Sequence, residues 1–120
     1  MEFDELSNKI IKSAIEVHKK LGPGFLESIY QAALPIELKK EGMEVEFQKE
    51  IKIYYDNQEV GLHRLDLLIN KEIIIELKTI EEFDDSHTAQ IISYLKATGL
   101  KIGLLFNFAK EVLKVKRVVL

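Results

Sequence analysis

The chain has 120 residues, 47% hydrophobic and 31% charged, a balance typical of one globular domain. It contains no cysteine, which excludes disulfide frameworks and cysteine-ligated zinc or iron–sulfur sites. The net charge of −3 is unlike that of a basic nucleic-acid coat, so any nucleic-acid contact must be local or cation-dependent. We see no secretion signal and no apolar run long enough to span a bilayer, and we expect a cytoplasmic protein without membrane contact.

Two helices are predicted at the start of the chain. The first covers "FDELSNKIIKSAIEVHKKLG", with Asp4 or Ser7 as its N-cap and with apolar residues at helical spacing. The glycines of "GPG" end it, and a second helix runs from about Leu26 to Glu41. Pro35 lies inside this helix, so we expect a kink or a split into two pieces.

Three strands come next and should form an antiparallel meander. The first is "MEVEFQKEIKIYY", whose apolar residues share one parity and therefore one predicted face: Val45, Phe47, Ile51 and Ile53. A turn at 56–59 leads to "VGLHRLDLLI", and a tight turn at Asn70–Lys71 leads to "EIIIELK".

A third helix is predicted from about Asp85 to Thr98, with Asp84, Asp85 or Ser86 as a cap and Gly99 as the stop. "KIGLLFNF" follows as a fourth strand. A right-handed crossover makes it parallel to the third strand, and the tail "EVLKVKRVVL" can add a fifth. The order ααβββαβ(β) predicts one α/β domain over residues 1–120, with helices flanking a mixed sheet.

Two acids and a lysine interrupt the apolar stretch "RLDLLINKEIIIELK". Glu76 and Lys78 share one face of the third strand, and charges on a covered face are costly unless they are paired or bind something. A turn at Asn70–Lys71 places Asp66 opposite Ile75, within one residue of Glu76, so a small register shift would bring the carboxylates together.

Clustered carboxylates repel each other unless a cation joins them, and their oxygens suit a hard cation such as Mg²⁺ or Mn²⁺. The alternative is a partly buried ion pair, Glu76–Lys78 or Asp66–Lys78, with no chemistry. The spacing Asp, nine residues, Glu-x-Lys on adjoining strands of a βββαβ order favours the cation site.

This arrangement resembles the PD-(D/E)XK nuclease motif. In addition, "LGPGFLESIY" is similar to the signature of the GxxExxY protein family, at Gly24, Glu27 and Tyr30. The similarity continues through "RLDLL", "IIIELK", "HTAQIISYL" and "TGLKIGLLFNF", in the family's order. It implies a restriction-endonuclease-like αβββαβ core and a nuclease-type site.

The resemblance implies roles for particular residues. Asp66 and Glu76 match the metal-binding acids, and Lys78 matches the lysine that orients or activates water. Glu27 matches a helix acid that completes the metal shell, although an acid in the first turn of a helix also stabilises it without any chemistry. We expect the second and third helices to pack on the carboxylate face of the sheet, with Glu27 near Asp66.

Further candidates lie on the helices and on the second strand. Gln90 matches a helix glutamine that contacts the site lysine or a phosphate, and it shares a stripe with His87 and Tyr94. His87 is a candidate phosphate contact or a helix-end residue. Tyr94 and Tyr30 can stack on a base or pack in the core. Arg64 has the parity of Asp66 and can reach a phosphate or pair with an acid.

The leading hypothesis is a Mg²⁺- or Mn²⁺-dependent nuclease that hydrolyses phosphodiesters, with DNA favoured over RNA as its partner. The main alternative is a nuclease-fold domain with weak or no catalysis that binds nucleic acid or protein. A small-molecule phosphoesterase is a third. Because the chain is small, we expect a homodimer or a place in a larger nucleic-acid-processing assembly.

Overall fold

A computed structural model describes residues 4–120, with three helices and a five-stranded mixed sheet. The helices are α1 (Glu5–Leu21), α2 (Glu27–Lys40) and α3 (Asp85–Thr98). The strands are β1 (Val45–Tyr55), β2 (Gln58–Ile69), β3 (Ile73–Lys78), β4 (Ile102–Asn107) and β5 (Lys114–Val119). They lie side by side in chain order. All neighbours are antiparallel except β3 and β4, which confirms the predicted mixed sheet and the parallel crossover.

The first helix begins as predicted, because the carboxylate of Asp4 accepts a hydrogen bond from the Ser7 backbone N–H at 2.7 Å. Of the two outcomes predicted for Pro35, a kink or a split, the split does not occur, since α2 is one helix with Pro35 inside it. Proline removes a single helical hydrogen bond. Leu34 and Leu38 on either side of it are fully buried, and their packing holds the helix together.

The turn between β1 and β2 is shorter than predicted. It consists of Asp56 and Asn57, both with positive φ, and the next two residues already belong to β2. Tyr55 pairs with Gln58, as in a two-residue hairpin. The wrong boundary came from the polarity of "DNQE". Polar residues also occur in exposed strands, and this end of the hairpin is exposed.

The connection between β2 and β3 sets the register of the two strands. Asn70 and Lys71 form the predicted turn, closed by the Glu72 backbone N–H donating to the Ile69 carbonyl at 2.9 Å. Glu72 is then an extra residue, because Ile69 pairs with Ile73. The pairing is shifted by one residue from the register that a two-residue turn alone would give.

Two hydrophobic cores lie on opposite faces of the sheet. α1 and α2 cover Ile73, Ile75 and Leu77, whereas α3 covers Ile74. The expectation that α2 shares the carboxylate face with α3 is therefore wrong. A crossover helix occupies one face of its sheet, so the helical hairpin that precedes the sheet covers the other.

The alternation of side chains between the two faces of the sheet is interrupted once in β1 and once in β2. Leu65 and Leu68 both pack in the α3 core, although an odd spacing should place them on opposite faces. In β1, Val45 packs against the α1–α2 core and Ile51 against the α3 core, so the prediction that they share a face is wrong. Gln48, between them, has a φ of 50°, the left-handed conformation that re-aims a strand.

Candidate active site

Asp66 and Glu76 meet where the β2–β3 ladder ends. The last backbone pair is Leu67 with Ile75, and the two acids occupy the next positions. The Asp66 backbone N–H donates to Glu76 Oε2 at 2.8 Å, and the Leu77 backbone N–H donates to Asp66 Oδ2 at 2.9 Å. Each carboxylate thus replaces a backbone partner of the opposite strand. The one-residue shift caused by Glu72 brings the two acids opposite each other.

Burial makes this pair of carboxylates hard to ionise. Glu76 is only 2% exposed. Its burial, together with the nearby charge of Asp66, raises its pKa to about 8. Burial also raises the pKa of Asp66, although the hydrogen bond from Leu77 and the charge of Lys78 work against that increase. In the absence of a compensating charge, the site therefore favours a protonated Glu76 at neutral pH.

Lys78 is close to both acids without forming a direct ion pair. Its charge lowers the pKa values of Asp66 and Glu76. Within residues 4–120, however, no ion pair includes Lys78, which disfavours the simple ion-pair interpretation. Its backbone is firmly placed, because the Lys78 carbonyl accepts from the Phe108 N–H at 2.9 Å. The ammonium group therefore remains available for another negative partner.

The buried side chain of Asn107 fixes the chain just after Lys78. Asn107 Nδ2 donates to the Ile80 carbonyl at 2.8 Å, and its Oδ1 accepts from the Ile80 N–H at 3.1 Å. These bonds join the end of β4 to the segment after β3. Sequence reasoning missed this residue, although a lone asparagine in an apolar strand is a signal for such a role.

Glu27 reaches the same site from the opposite side of the sheet. It is half-buried, and burial raises its pKa, while the charge of Lys78 lowers it and that of Asp66 raises it. Gln31, one turn further along α2, donates to Glu27 at 3.3 Å and also bonds the Asp66 carboxylate. The sequence analysis missed Gln31, although its i+4 spacing from Glu27 placed it on the same helix face.

α3 contributes the other wall of the site through Tyr94. Burial first, and then the charges of Glu76 and Asp66, raise the pKa of Tyr94 to about 12. Gln90 hydrogen-bonds the Tyr94 side chain. In the described part of the chain, the partner of Gln90 is Tyr94, and no hydrogen bond joins Gln90 to Lys78.

The model of the PD-(D/E)XK nuclease superfamily matches residues 4–118. The chain belongs to the PD-(D/E)XK nuclease superfamily. The solved structure titled "Crystal structure of SSO0001" is similar with a TM-score of 0.61 and 16% sequence identity, over 97% of this chain and 78% of that one. At this identity the likeness supports the fold alone. No curated protein matches the chain.

In this PD-(D/E)XK nuclease fold, Arg64 and His87 are engaged by neighbours. Arg64 lies 3.0 Å from Glu50 across the β1–β2 pair, exposed to solvent. It does not follow the parity of Asp66, because the break in alternation separates them. His87 Nδ1 accepts from the Asp84 N–H at 3.0 Å and completes the capping box of α3. This is the helix-end alternative for His87.

His63 is a neighbour of the site that the sequence analysis missed. Its Nε2 lies 2.9 Å from Ser93 Oγ, and its ring centre lies 4.8 Å from that of Tyr94. His63 therefore packs against the ring of Tyr94 and is anchored to α3 through Ser93. His63 is on the α3 side although Leu67, an even number of residues away, is on the other side, because alternation breaks near Asp66. A prediction based on strict alternation does not foresee this.

Tyr30 takes the core-packing alternative. Its side chain is fully buried and stacks on Phe108 at a centroid distance of 4.5 Å. Its hydroxyl donates to the Gly22 carbonyl at 2.6 Å and accepts from the Phe25 N–H at 3.2 Å. Tyr30 therefore ties the loop between α1 and α2 to the core, directly beside Glu27.

We predict that Tyr30→Phe lowers the free energy of unfolding by about 1–2 kcal/mol, because two backbone groups of the loop lose their partner. Urea denaturation followed by circular dichroism measures this change. Tyr54→Phe is the matched control, since Tyr54 is 59% exposed. Equal stability of the two variants would show that the hydroxyl of Tyr30 does not hold the loop.

The acids of the site are candidate ligands for a divalent cation. Within residues 4–120, no three Asp, Glu, His or Cys side chains gather into a ready-formed metal group. Nevertheless, Asp66, Glu76 and Glu27 all have raised pKa values and share a single nearby lysine. Three oxygen donors that lack compensating positive charge are the chemistry that a hard cation requires. The chemistry of the donor set fits a divalent cation, which would have to draw the three carboxylates together.

The described residues include no helix that is both long and apolar enough to cross a membrane. The longest helix, α1, has 17 residues and an acidic first turn.

Proposed function

We propose that the chain is a metal-dependent nuclease of the GxxExxY family, which hydrolyses phosphodiester bonds of DNA in preference to RNA. The reciprocal carboxylate pair carries the proposal. Asp66 and Glu76 are bound to each other's strand, buried, and set beside Lys78, which has no direct acidic partner among residues 4–120. A purely structural ion pair would join the lysine to an acid.

Asp66 and Glu76 would hold Mg²⁺ or Mn²⁺, with Glu27 as a third ligand. When bound, such a cation offsets charge on the phosphate and lowers the pKa of an attacking water. The chain itself supplies the surroundings. The burial of Glu76 keeps bulk water away, and the hydrogen bonds from Leu77 and Gln31 fix the orientation of Asp66.

Lys78 and Tyr94 act on the reacting groups in different ways. The Lys78 ammonium, which has no ion-pair partner within residues 4–120, donates to the attacking water or to the phosphate oxygen that gains negative charge. Tyr94, with a pKa of about 12, stays protonated at neutral pH. It therefore acts as a hydrogen-bond donor and not as a base, and Gln90 orients its hydroxyl.

The test is incubation of the purified protein with labelled single- and double-stranded DNA and RNA. Each substrate is run with Mg²⁺, with Mn²⁺ and with a chelator, and a Glu76→Gln preparation controls for contaminating nucleases. Cleavage that requires the cation and disappears in the variant supports the proposal. Binding without cleavage under every condition would instead favour the interaction-module alternative.

Two lysines on β5 support a nucleic-acid substrate. They are Lys114 and Lys116. In the backbone register of the sheet, Lys114 lies two strands away from Lys78, across β4. Lys116 lies two strands away from Glu76 in the same way. Both lysines are an even number of residues from Val118, which packs in the α3 core. They therefore lie on the same face of the sheet as the acids. Two strand spacings put them about 10 Å from the site.

A cavity of about 670 Å³ extends along this part of the sheet. It is lined by the β5 lysines and Asn107, and also by the acids Glu81, Glu82 and Glu111. Both lysines are exposed and, within residues 4–120, make no ion pair. Exposed lysines also protect an edge strand from pairing with other chains, so their position relative to the acids, not their charge alone, supports contact with phosphates.

We predict that Lys114→Ala/Lys116→Ala weakens nucleic-acid binding equally for all sequences. Each phosphate contact contributes about 0.7–0.9 to the magnitude of the slope of log K against log salt concentration. Because two contacts are removed, this magnitude should decrease by roughly 1.4–1.8. Fluorescence anisotropy in chelator at several salt concentrations measures it. Lys9→Ala/Lys12→Ala removes the same charge from exposed positions of α1. An equal loss in both double variants would contradict a local phosphate contact.

A further inference from the structure

An exposed apolar loop borders the site. Leu26 is 77% exposed, and its neighbour Phe25 is 49% exposed. Ile29, on the next turn, is 42% exposed. Single exposed apolar residues are normal on protein surfaces, but three within five positions of one loop and helix end form a patch.

The helix end at this patch is not optimised for stability. Leu26 is the N-cap of α2 and makes no side-chain cap hydrogen bond. The other two helices are capped by Asp4 and Asp84, whose carboxylates accept from backbone N–H groups. Ser, Thr, Asp and Asn are the favoured N-caps, and leucine is among the poorest. A local rule broken at one exposed position is a sign of a function for that side chain.

The loop holds its backbone and the Phe25 ring in fixed positions. The Tyr30 hydroxyl bonds both the Gly22 carbonyl and the Phe25 N–H, and the Phe25 ring meets Tyr30 edge-on at 6.3 Å. Gly24 has a φ of 112°, a conformation that only glycine adopts easily. The loop backbone and the Phe25 ring therefore lose little conformational freedom when a ligand binds.

The patch adjoins Glu27, the helix acid of the candidate site. Leu26 precedes Glu27, whose carboxylate is close enough to Asp66 and Lys78 to be influenced by both charges. A phosphodiester held at Asp66, Glu76 and Lys78 would have its neighbouring nucleotides within reach of this loop. Phosphates and sugars are polar, so the part of a nucleotide that matches an apolar side chain is the face of its base.

We propose that Phe25 and Leu26 contact the faces of unpaired bases beside the scissile phosphate, so that the substrate is single-stranded or locally unpaired nucleic acid. This inference rests on the proposed nuclease function. Base faces are hidden by stacking in a regular duplex and become accessible in single strands or where a side chain wedges between bases. The loop thus selects strand structure, whereas the phosphate contacts hold any strand.

The test uses Leu26→Ser, with 2-aminopurine-labelled single strands and the matching duplex as probes, in chelator so that binding is read without cleavage. The loss of an apolar contact with a base face predicts about 10-fold weaker binding of the single strand, with duplex binding unchanged. Because serine is a good N-cap, the variant should also melt about 4 °C higher than wild type. Ile36→Ser, on the same helix and 62% exposed, should change neither binding constant.

The outcomes separate the inference from the function on which it rests. Wild type that prefers single strands, with Leu26→Ser losing the preference, supports the inference. Equal single-strand binding by both proteins overturns it, even if metal-dependent cleavage is found. Wild type that neither binds nor cleaves any nucleic acid overturns the proposed function. A change of sedimentation coefficient in Leu26→Ser, without a change in binding, would assign the patch to self-association and overturn the inference as well.

Discussion

Glu76→Gln is expected to stabilise the metal-free protein at pH 8 and to abolish both metal-dependent stabilisation and cleavage. Glutamine keeps the size of the side chain and the acceptor for the Asp66 N–H, and it removes the buried charge. The gain in stability and the loss of function have the same origin, because the carboxylate that is costly to ionise is the one proposed to bind the cation.

The pH dependence follows from the raised pKa of Glu76. The native value is about 8, and an unfolded glutamate has a pKa of roughly 4.3. Between these values the native state holds a proton that the unfolded state has lost. Wild-type stability should therefore fall as the pH rises from about 4.5 to 8, by an amount on the order of 4 kcal/mol. The variant should show a much flatter curve, with a residual slope from Asp66.

Thermal melts in chelator at pH 5, 6.5 and 8 measure this difference, and Glu59→Gln is the control at an exposed position. Added Mn²⁺ should raise the wild-type melting temperature more at pH 8 than at pH 6.5, because binding requires the ionised carboxylates. Parallel pH curves for wild type and Glu76→Gln would show that the Glu76 carboxylate is not the group that titrates.

Lys78→Met should reduce cleavage by about 10²–10³-fold, the usual effect of removing one donor to developing charge. The same change should strengthen Mn²⁺ binding, because a positive charge leaves the neighbourhood of Asp66 and Glu76. The stability of the fold should change little, since within residues 4–120 Lys78 makes no ion pair that the substitution would break. Methionine retains most of the aliphatic stem.

Isothermal titration with Mn²⁺ and single-turnover cleavage separate these effects, and Lys101→Met provides a control at an exposed position. If Lys78 served only to neutralise the acids, Lys78→Met would destabilise the fold by about 3–5 kcal/mol. A strongly lowered melting temperature in chelator, with no cleavage by the wild type, would establish that structural role.

Local patterns were sufficient for most of the elements. Helix caps such as Asp4, the glycine after α3 and the apolar run of β3 each gave an element of the right type and order. The sequence boundaries failed where polarity was ambiguous, as at Gln58–Glu59. The continuous α2 could not be predicted because the packing that overrides Pro35 comes from the folded core.

The site required more than periodicity. Parity placed Glu76 and Lys78 on one face correctly, and the motif spacing predicted that Asp66 would lie near them. The exact register depended on Glu72, which has no distinctive side chain to mark it as an extra residue. The left-handed Gln48 is equally unmarked in the sequence. The faces of Arg64 and His63 depend on the break in alternation between Leu65 and Leu67, which no residue pattern announces.

The β2–β3 turn also decides where the protein can be modified. Asn70 to Glu72 form an exposed turn of the kind usually chosen for tags, labels or circular permutation. Here the insertion or deletion of one residue would shift the β2–β3 register by one position. This shift would separate Asp66 from Glu76, although both lie several residues from the turn. The other hairpin tip, at Asp56–Asn57, imposes no such condition on the acids. It is the better place for a fluorescent label or a capture tag.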